Sequence, residues 1–172
     1  MGESFVTLLT NDGYAIGAIV LARSIRESGS SKAISVLVTD NVSKRVREKL
    51  SVDFDNIISV EEIDSRDRER LQLLGRPELG PTLTKIHIWR LLQFNKVVFL
   101  DADTLVLQNV DELFSREEDF LAAPDVGWPD CFNSGVFVCR PNLDTYHGLY
   151  RLALTTGSFD GKLRRVLALN TL

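Results

Sequence analysis

Cysteine and histidine are scarce in this chain, with two of each among 172 residues. Cys131 and Cys139 make neither a disulfide framework nor a zinc ligand set, so they read as small apolar residues of a reducing compartment. His87 and His147 have no second histidine or carboxylate at ligand spacing and read as packed or solvated side chains. An excess of positive charge is also missing. With 20 basic and 24 acidic residues the formal charge is -4, which gives no long-range field to hold nucleic acid or an anionic membrane. No apolar run approaches the roughly 18 residues that span a bilayer, and no basic segment leads into an apolar one near the start. Val6 stands where a myristoylation signal needs Ser or Thr. The expectation is a cytoplasmic protein without a membrane or nucleic-acid partner. No Gly-x-Gly-x-x-Gly follows the first strand-like run and no Gly-x-x-x-x-Gly-Lys-Ser/Thr occurs, which disfavours nicotinamide dehydrogenases and P-loop ATPases.

What is present suits one globular domain: hydrophobic residues make up 44% of the chain, and there is neither an internal repeat nor a low-complexity linker. Short apolar runs alternate with helix-length amphipathic ones, the pattern of β-α-β units around a mostly parallel sheet. Strands are expected over 5–10, 34–39, 57–60, 96–100, 121–123 and 135–139. Helices are expected over 14–28, from a Ser43 cap to 50, over 84–92, 110–114 and 143–155. Residues 64–81 are charged, lack a period, and read as a loop or a partly helical connection.

Two Asp-x-Asp sequences stand out. In extended backbone, residues i and i+2 point to one side, so such a pair can face one hard cation and leave positions open for water and diphosphate oxygens. The cation then stabilises charge that grows on a departing nucleoside diphosphate. Asp53-Phe54-Asp55 precedes its strand, whereas Asp101-Ala102-Asp103 follows the strand over 96–100. Ligands in open α/β sheets bind beyond the carboxyl ends of strands, which favours the second pair and makes the first a solvated turn. For Asp101 and Asp103 a polar strand end or a capping cluster stays open as the plainer reading. Lys85 taken by itself reads as a solvated helix residue.

Four stretches carry a resemblance. Phe5-Val6-Thr7-Leu8-Leu9-Thr10-Asn11-Asp12-Gly13-Tyr14, the segment 76–85 beginning Arg76-Pro77-Glu78-Leu79-Gly80-Pro81, Val98-Phe99-Leu100-Asp101-Ala102-Asp103-Thr104, and the segment 123–138 with Cys131-Phe132-Asn133-Ser134-Gly135 closely resemble the glycogenins. These are family-8 retaining glycosyltransferases, and the likeness runs colinearly from about Phe5 to Gly161. It implies an α/β, Rossmann-like nucleotide-diphospho-sugar transferase fold of the GT-A type, incomplete at its C-terminus, over residues 1–161, with a divergent tail over 162–172. It implies UDP-glucose as donor, Mn²⁺ as cofactor, and glucose transfer to a tyrosine and then to a short α-1,4-glucan. Carried over residue by residue, it places Leu8, Thr10, Asn11 and Tyr14 around the uridine, though Tyr14 also suits the first turn of a helix packing on the sheet. It makes Asp101 and Asp103, flanking Ala102, the metal ligands, with Asp103 also near the ribose. Arg76 and Lys85 become contacts to the diphosphate and sugar side. Asp125, Asn133 and Ser134 become sugar-recognising residues, and Asp160 an acceptor-side or sugar contact. Asp125, Asn133, Asp160 and Lys85 then form the catalytic group.

The match to the family pattern stops after Ser158-Phe159-Asp160-Gly161, where a Gly-Asp-Gln-Gly type motif is expected and Lys162-Leu163-Arg164-Arg165 stands instead. By the resemblance, a histidine ligand, a phosphate-binding lysine, the acceptor tyrosine and dimerising helices lie beyond this point. The expected partners are UDP-glucose, a glycogen or maltosaccharide acceptor, a second copy or a full-length glycogenin, and glycogen synthase. Two functions follow from the sequence: a glucosyltransferase of this type, or an impaired isoform that binds UDP-sugar or a full-length partner.

Overall fold

The computed structural model describes residues 2–63, 77–125 and 132–155. Six strands form one mixed sheet: β1 (Gly2–Leu9), β2 (Ala33–Val38), β3 (Asn56–Ser59), β4 (Phe94–Leu100), β5 (Phe120–Pro124) and β6 (Phe132–Cys139), in the order β3-β2-β1-β4-β6-β5. The first four strands in that order are parallel, and β6 runs antiparallel between β4 and β5. The parallel part follows from the β-α-β pattern. The antiparallel part needs only chain reversals that the sequence does not mark by period.

Alternation along the strands sorts the core onto two faces. Phe5, Val36, Val38, Val98 and Leu100 point to one side, where α1 (Ala15–Glu27) and α2 (Lys44–Leu50) cover them. Val6, Leu37, Val97, Phe99 and Phe137 point to the other, against residues 83–91 and α3 (Leu143–Thr155). Because both faces are covered, the central strands read as continuous apolar runs. Ser43 caps α2 as expected, its Oγ accepting from the Val46 N–H at 3.3 Å. Gly29, at φ 86°, supplies the left-handed residue just past α1.

Helix period failed at two places, and the shorter is the helix expected over 110–114, which is a 3-10 turn over Asp111–Ser115. A helix expected over 84–92 is a 3-10 segment over Pro77–Arg90. A three-residue repeat aligns Leu83, Ile86 and Trp89, all buried, but Lys85, His87 and Ile88 between them are buried too. With every side covered, no amphipathic pattern is available in the sequence. Trp89 stacks on Phe137 at 5.5 Å, and Phe137 stacks on Phe99 at 4.9 Å, which fixes this segment on the sheet. His87 is packed, its ring stacked on Tyr146 at 5.9 Å. Cys139 is buried and its thiol pKa is pushed up by that burial, as its reading as an apolar residue requires.

Candidate nucleotide-sugar site

The carboxyl ends of β1 and β4 and the start of β6 meet at one edge of the sheet. Val6 pairs with Phe99 in register, so counting two residues on brings Leu8 level with Asp101. Leu100 pairs with Val136, and the Asp101 N–H donates to the Gly135 carbonyl at 2.8 Å, which ties the residue after β4 to the segment containing Asn133 and Ser134. Pro124 pairs with Phe132, so Asp125 leaves β5 at this same edge. Arg76 and Asp160 lie outside the described residues, as do Cys131, Trp128 and the tail over 162–172.

Asp101-Ala102-Asp103 is a turn, not the extended pair its spacing suggests. The Thr104 N–H and hydroxyl both donate to the Asp101 carbonyl, at 3.0 and 2.7 Å. Ala102 is buried beneath the turn, while Asp103 is exposed. The fit under the turn depends on Gly17: a Cβ there would come within 2.4 Å of the Ala102 carbonyl oxygen. Ser24, about two turns further along the same face of α1, accepts from the Val106 N–H at 3.1 Å and holds the chain leaving the turn. Gly17, Ser24 and Thr104 were missed as site residues. A glycine inside an otherwise helical pattern is the signal that could have found the first.

Lys85 corrects its reading as a solvated residue. It is 6% exposed, and its Nζ donates to Asp101 Oδ1 at 2.7 Å and to the Ser134 carbonyl at 3.3 Å. Beneath it lies the Phe99 ring, 5.0 Å from Nζ to centroid. Burial raises the Asp101 pKa above its ordinary value; the lysine opposes that, and the Asp103 charge adds to it. A glycine at 135 opens the other side of the carboxylate, since a Cβ there would sit 3.1 Å from Asp101 Oδ2.

Around this centre, Asn11 Oδ1 accepts from the Gly13 N–H at 2.9 Å and caps the 3-10 turn over Asp12–Tyr14. Tyr14 ends that turn 46% exposed, so packing against the sheet does not account for it. Thr10 accepts at its carbonyl from Thr39 Oγ1 at 2.9 Å. Asn133 Oδ1 accepts from the Gly135 N–H at 2.7 Å.

The first acidic pair is committed elsewhere. Asp53 Oδ1 accepts from Arg23 Nε at 2.8 Å, and Asp55 Oδ2 accepts from the Ile34 N–H at 2.7 Å and pairs with Arg26. It is therefore an ion-paired strap between α1 and β2 and not a merely solvated turn.

Two carboxylates within one turn, one of them exposed, suit a hard divalent ion that takes its remaining ligands from water and phosphate. Among the described residues no third His, Cys, Asp or Glu joins them. The donor set thus fits a cation shared with a diphosphate better than a resident, fully protein-ligated metal. A family model for glycosyl transferase family 8 matches residues 5–169. The chain belongs to glycosyl transferase family 8. Within that family it is 55% identical over 159 residues to glycogenin-1 of Oryctolagus cuniculus, covering 92% of this chain and 47% of the relative. Glycogenin-2 of Homo sapiens is 57% identical, over 92% of this chain and 32% of the relative. The chain spans about half the length of the glycogenin-1 relatives it matches. Among solved structures it resembles the galactosyltransferase LgtC in complex with donor and acceptor sugar analogues, at TM-score 0.62 and 16% identity over 92% of this chain and 68% of that one. It also resembles core-mannan synthase A of Aspergillus fumigatus in its Mn/GDP form, at TM-score 0.65 and 9% identity over 99% and 69%. Those likenesses carry the fold: a mixed α/β sheet of the GT-A type. No helix among the described residues is long and apolar enough to cross a membrane.

Proposed function

We propose that this chain binds UDP-glucose through a divalent cation, Mn²⁺, and serves retaining glucosyl transfer of the glycogenin type, first to a tyrosine and then to a growing α-1,4-glucan. The observation that carries the reading is the Asp101-Ala102-Asp103 turn at the carboxyl edge of the sheet, faced by a buried lysine. Its high identity to glycogenins supports the choice of glucose and of a glucan acceptor.

In this reading Leu8, Thr10, Asn11 and the exposed face of Tyr14 hold the uracil and ribose, and Asp103 lies by the ribose. Asp101 and Asp103 hold the cation, which supplies positive charge against the leaving diphosphate. Lys85, with Arg76, adds fixed positive charge on the same oxygens. Asn133, Ser134 and Asp125 orient the glucose by directional hydrogen bonds, with Asp160 on the acceptor side. Glycogen synthase, a second copy of the chain and a cytoplasmic setting belong to the same proposal.

Calorimetric titration of the 172-residue chain with UDP and UDP-glucose tests it. Mn²⁺ is expected to strengthen UDP binding by about tenfold or more, the equivalent of roughly 1.4 kcal/mol, and Asp101→Asn with Asp103→Asn to remove that gain. Adding a maltoside acceptor and following UDP release then tests transfer. An affinity indifferent both to Mn²⁺ and to the two substitutions sinks the proposal. Binding without UDP release assigns the chain donor recognition and removes transfer from it.

A further inference from the structure

Lys85 and a cation compete for one carboxylate. The ammonium is almost fully enclosed, sits over the Phe99 ring and holds Asp101 Oδ1 at 2.7 Å, while the Asp101 side chain is 34% exposed. The lysine therefore approaches the carboxylate from inside the protein, and a cation from solvent meets a carboxylate already paired. Two positive charges around one carboxylate repel each other, most strongly where burial lowers the dielectric. A diphosphate sharing a cation with Asp101 would come near the ammonium that pairs with the same carboxylate. It offers the lysine an alternative acceptor of higher charge. Moving off Asp101 gives up the place over the Phe99 ring and the contact to the Ser134 carbonyl at 3.3 Å, so the move needs a stronger acceptor to replace them.

We infer that Lys85 is a transferable counter-ion, held on Asp101 in the ligand-free protein and passed to the donor diphosphate on binding, so that arrival of the nucleotide releases Asp101 to the cation. The inference rests on the donor reading above and adds a direction to it. Cation and nucleotide reinforce one another through a lysine with two acceptors, and the ligand-free protein resists loading with metal alone. By linkage the coupling is reciprocal, so it can be read from the metal side without any turnover.

The test is Mn²⁺ binding to the full chain, read from the electron paramagnetic resonance of the free ion with and without saturating UDP. In the wild type, Mn²⁺ alone is expected to bind weakly and UDP to tighten it. Lys85→Met should tighten Mn²⁺ alone by about fivefold or more and shrink the UDP effect by a similar factor, fivefold being the low end of common coupling. Lys85→Arg, which keeps the charge, should keep the coupling. If Lys85→Met leaves the affinity for Mn²⁺ alone unchanged or weaker while UDP still tightens Mn²⁺ in the wild type, the handover is wrong and the donor reading stands. If the wild type takes up no Mn²⁺ with or without UDP, the donor reading fails and the handover with it. A measurement on the wild type covers the case in which Lys85→Met does not fold. The ¹³C carboxyl resonance of Asp101, identified by its loss in Asp101→Asn, should shift when UDP is added without metal. An unmoved resonance overturns the handover.

Discussion

Asp53-Phe54-Asp55 and Asp101-Ala102-Asp103 share a spelling, but the fold places them in different company. The first lies ahead of β3 and spends its oxygens on two arginines of α1 and on the N–H of Ile34. The second lies behind β4, with one carboxylate paired from beneath by a lysine and the other turned to solvent. Arg23 and Arg26, 61% and 38% exposed, reach both carboxylates of the first motif from an exposed helix face, so each is already ion-paired at the surface. The central residues differ as well. Phe54 is buried as a core anchor, whereas Ala102 is buried because α1 presses a glycine against its carbonyl. A short acidic motif thus acquires a role from which end of a strand it occupies and from what fills the space beneath it.

The largest effect expected from pulling the two apart is at the central residues. Phe54→Ala removes a buried aromatic side chain and should cost about 3–5 kcal/mol in urea unfolding, without altering the affinity of the folded protein for Mn²⁺ and UDP. A ligand affinity that falls together with stability would mean that the first motif belongs to the site. Gly17→Ala is the matching change at the second motif. The added methyl meets backbone, which cannot rotate away, so about 1–3 kcal/mol of destabilisation is expected from overpacking. Here the cation-dependent part of UDP binding should fall too, because relief comes only by shifting the Ala102 carbonyl and with it both carboxylates. A variant that loses stability and keeps full Mn²⁺-dependent binding would show that the turn tolerates displacement.

Charge neutralisation should separate the motifs by less in stability and more in function. Asp55→Asn keeps an acceptor for the Ile34 N–H and removes an ion pair whose partners are both more than a third exposed. Its expected cost is therefore only about 0.5 kcal/mol, and ligand affinity should stay within about twofold. A cost several times larger would place Asp55 among the residues that hold β2 and β3 in register.

The strands, the order of elements and the place of the second acidic pair at a strand's carboxyl end were legible because they depend on local period and on one topological rule. The strands over 34–39 and 96–100 are apolar at most positions, with only Ser35, Thr39 and Lys96 polar among them, and a Ser43 cap needs only its own helix. What was not legible depends on contacts between residues distant in sequence. Lys85 is buried because Asp101, 16 positions away, and Ser134, 49 positions away, supply oxygens to its ammonium; no window around residue 85 contains them. The turn geometry of 101–104 likewise depends on Gly17 and Ser24 of α1, and residues 83–89 show no period because all of them are buried. Reading Asp101 and Asp103 as an extended pair assumed a backbone geometry that the fold does not use: the two lie on a turn closed by Thr104.

The smallest separation expected is with pH, and it comes from one histidine. His87 shares the 3-10 segment with Lys85. Its Nε2 is 2.8 Å from the Glu61 carbonyl, its Nδ1 is 3.4 Å from Arg90, and its ring lies on Tyr146. Burial lowers its pKa below the ordinary value of 6.5; the Glu61 contact opposes this and the Arg90 charge adds to it. The folded protein thus prefers neutral imidazole, and between the folded and unfolded values the unfolded chain binds the extra proton. The His87 contribution is present above pH 6.5 and is lost as pH falls through the lower, folded value. Amide protection factors, corrected for intrinsic exchange, should therefore fall on acidification for residues 83–91 before they fall for α1 and β2, and His87→Gln should remove the difference. Equal losses in both regions would show that the segment carrying Lys85 opens only with the whole sheet, and would leave the second motif no more adjustable than the first.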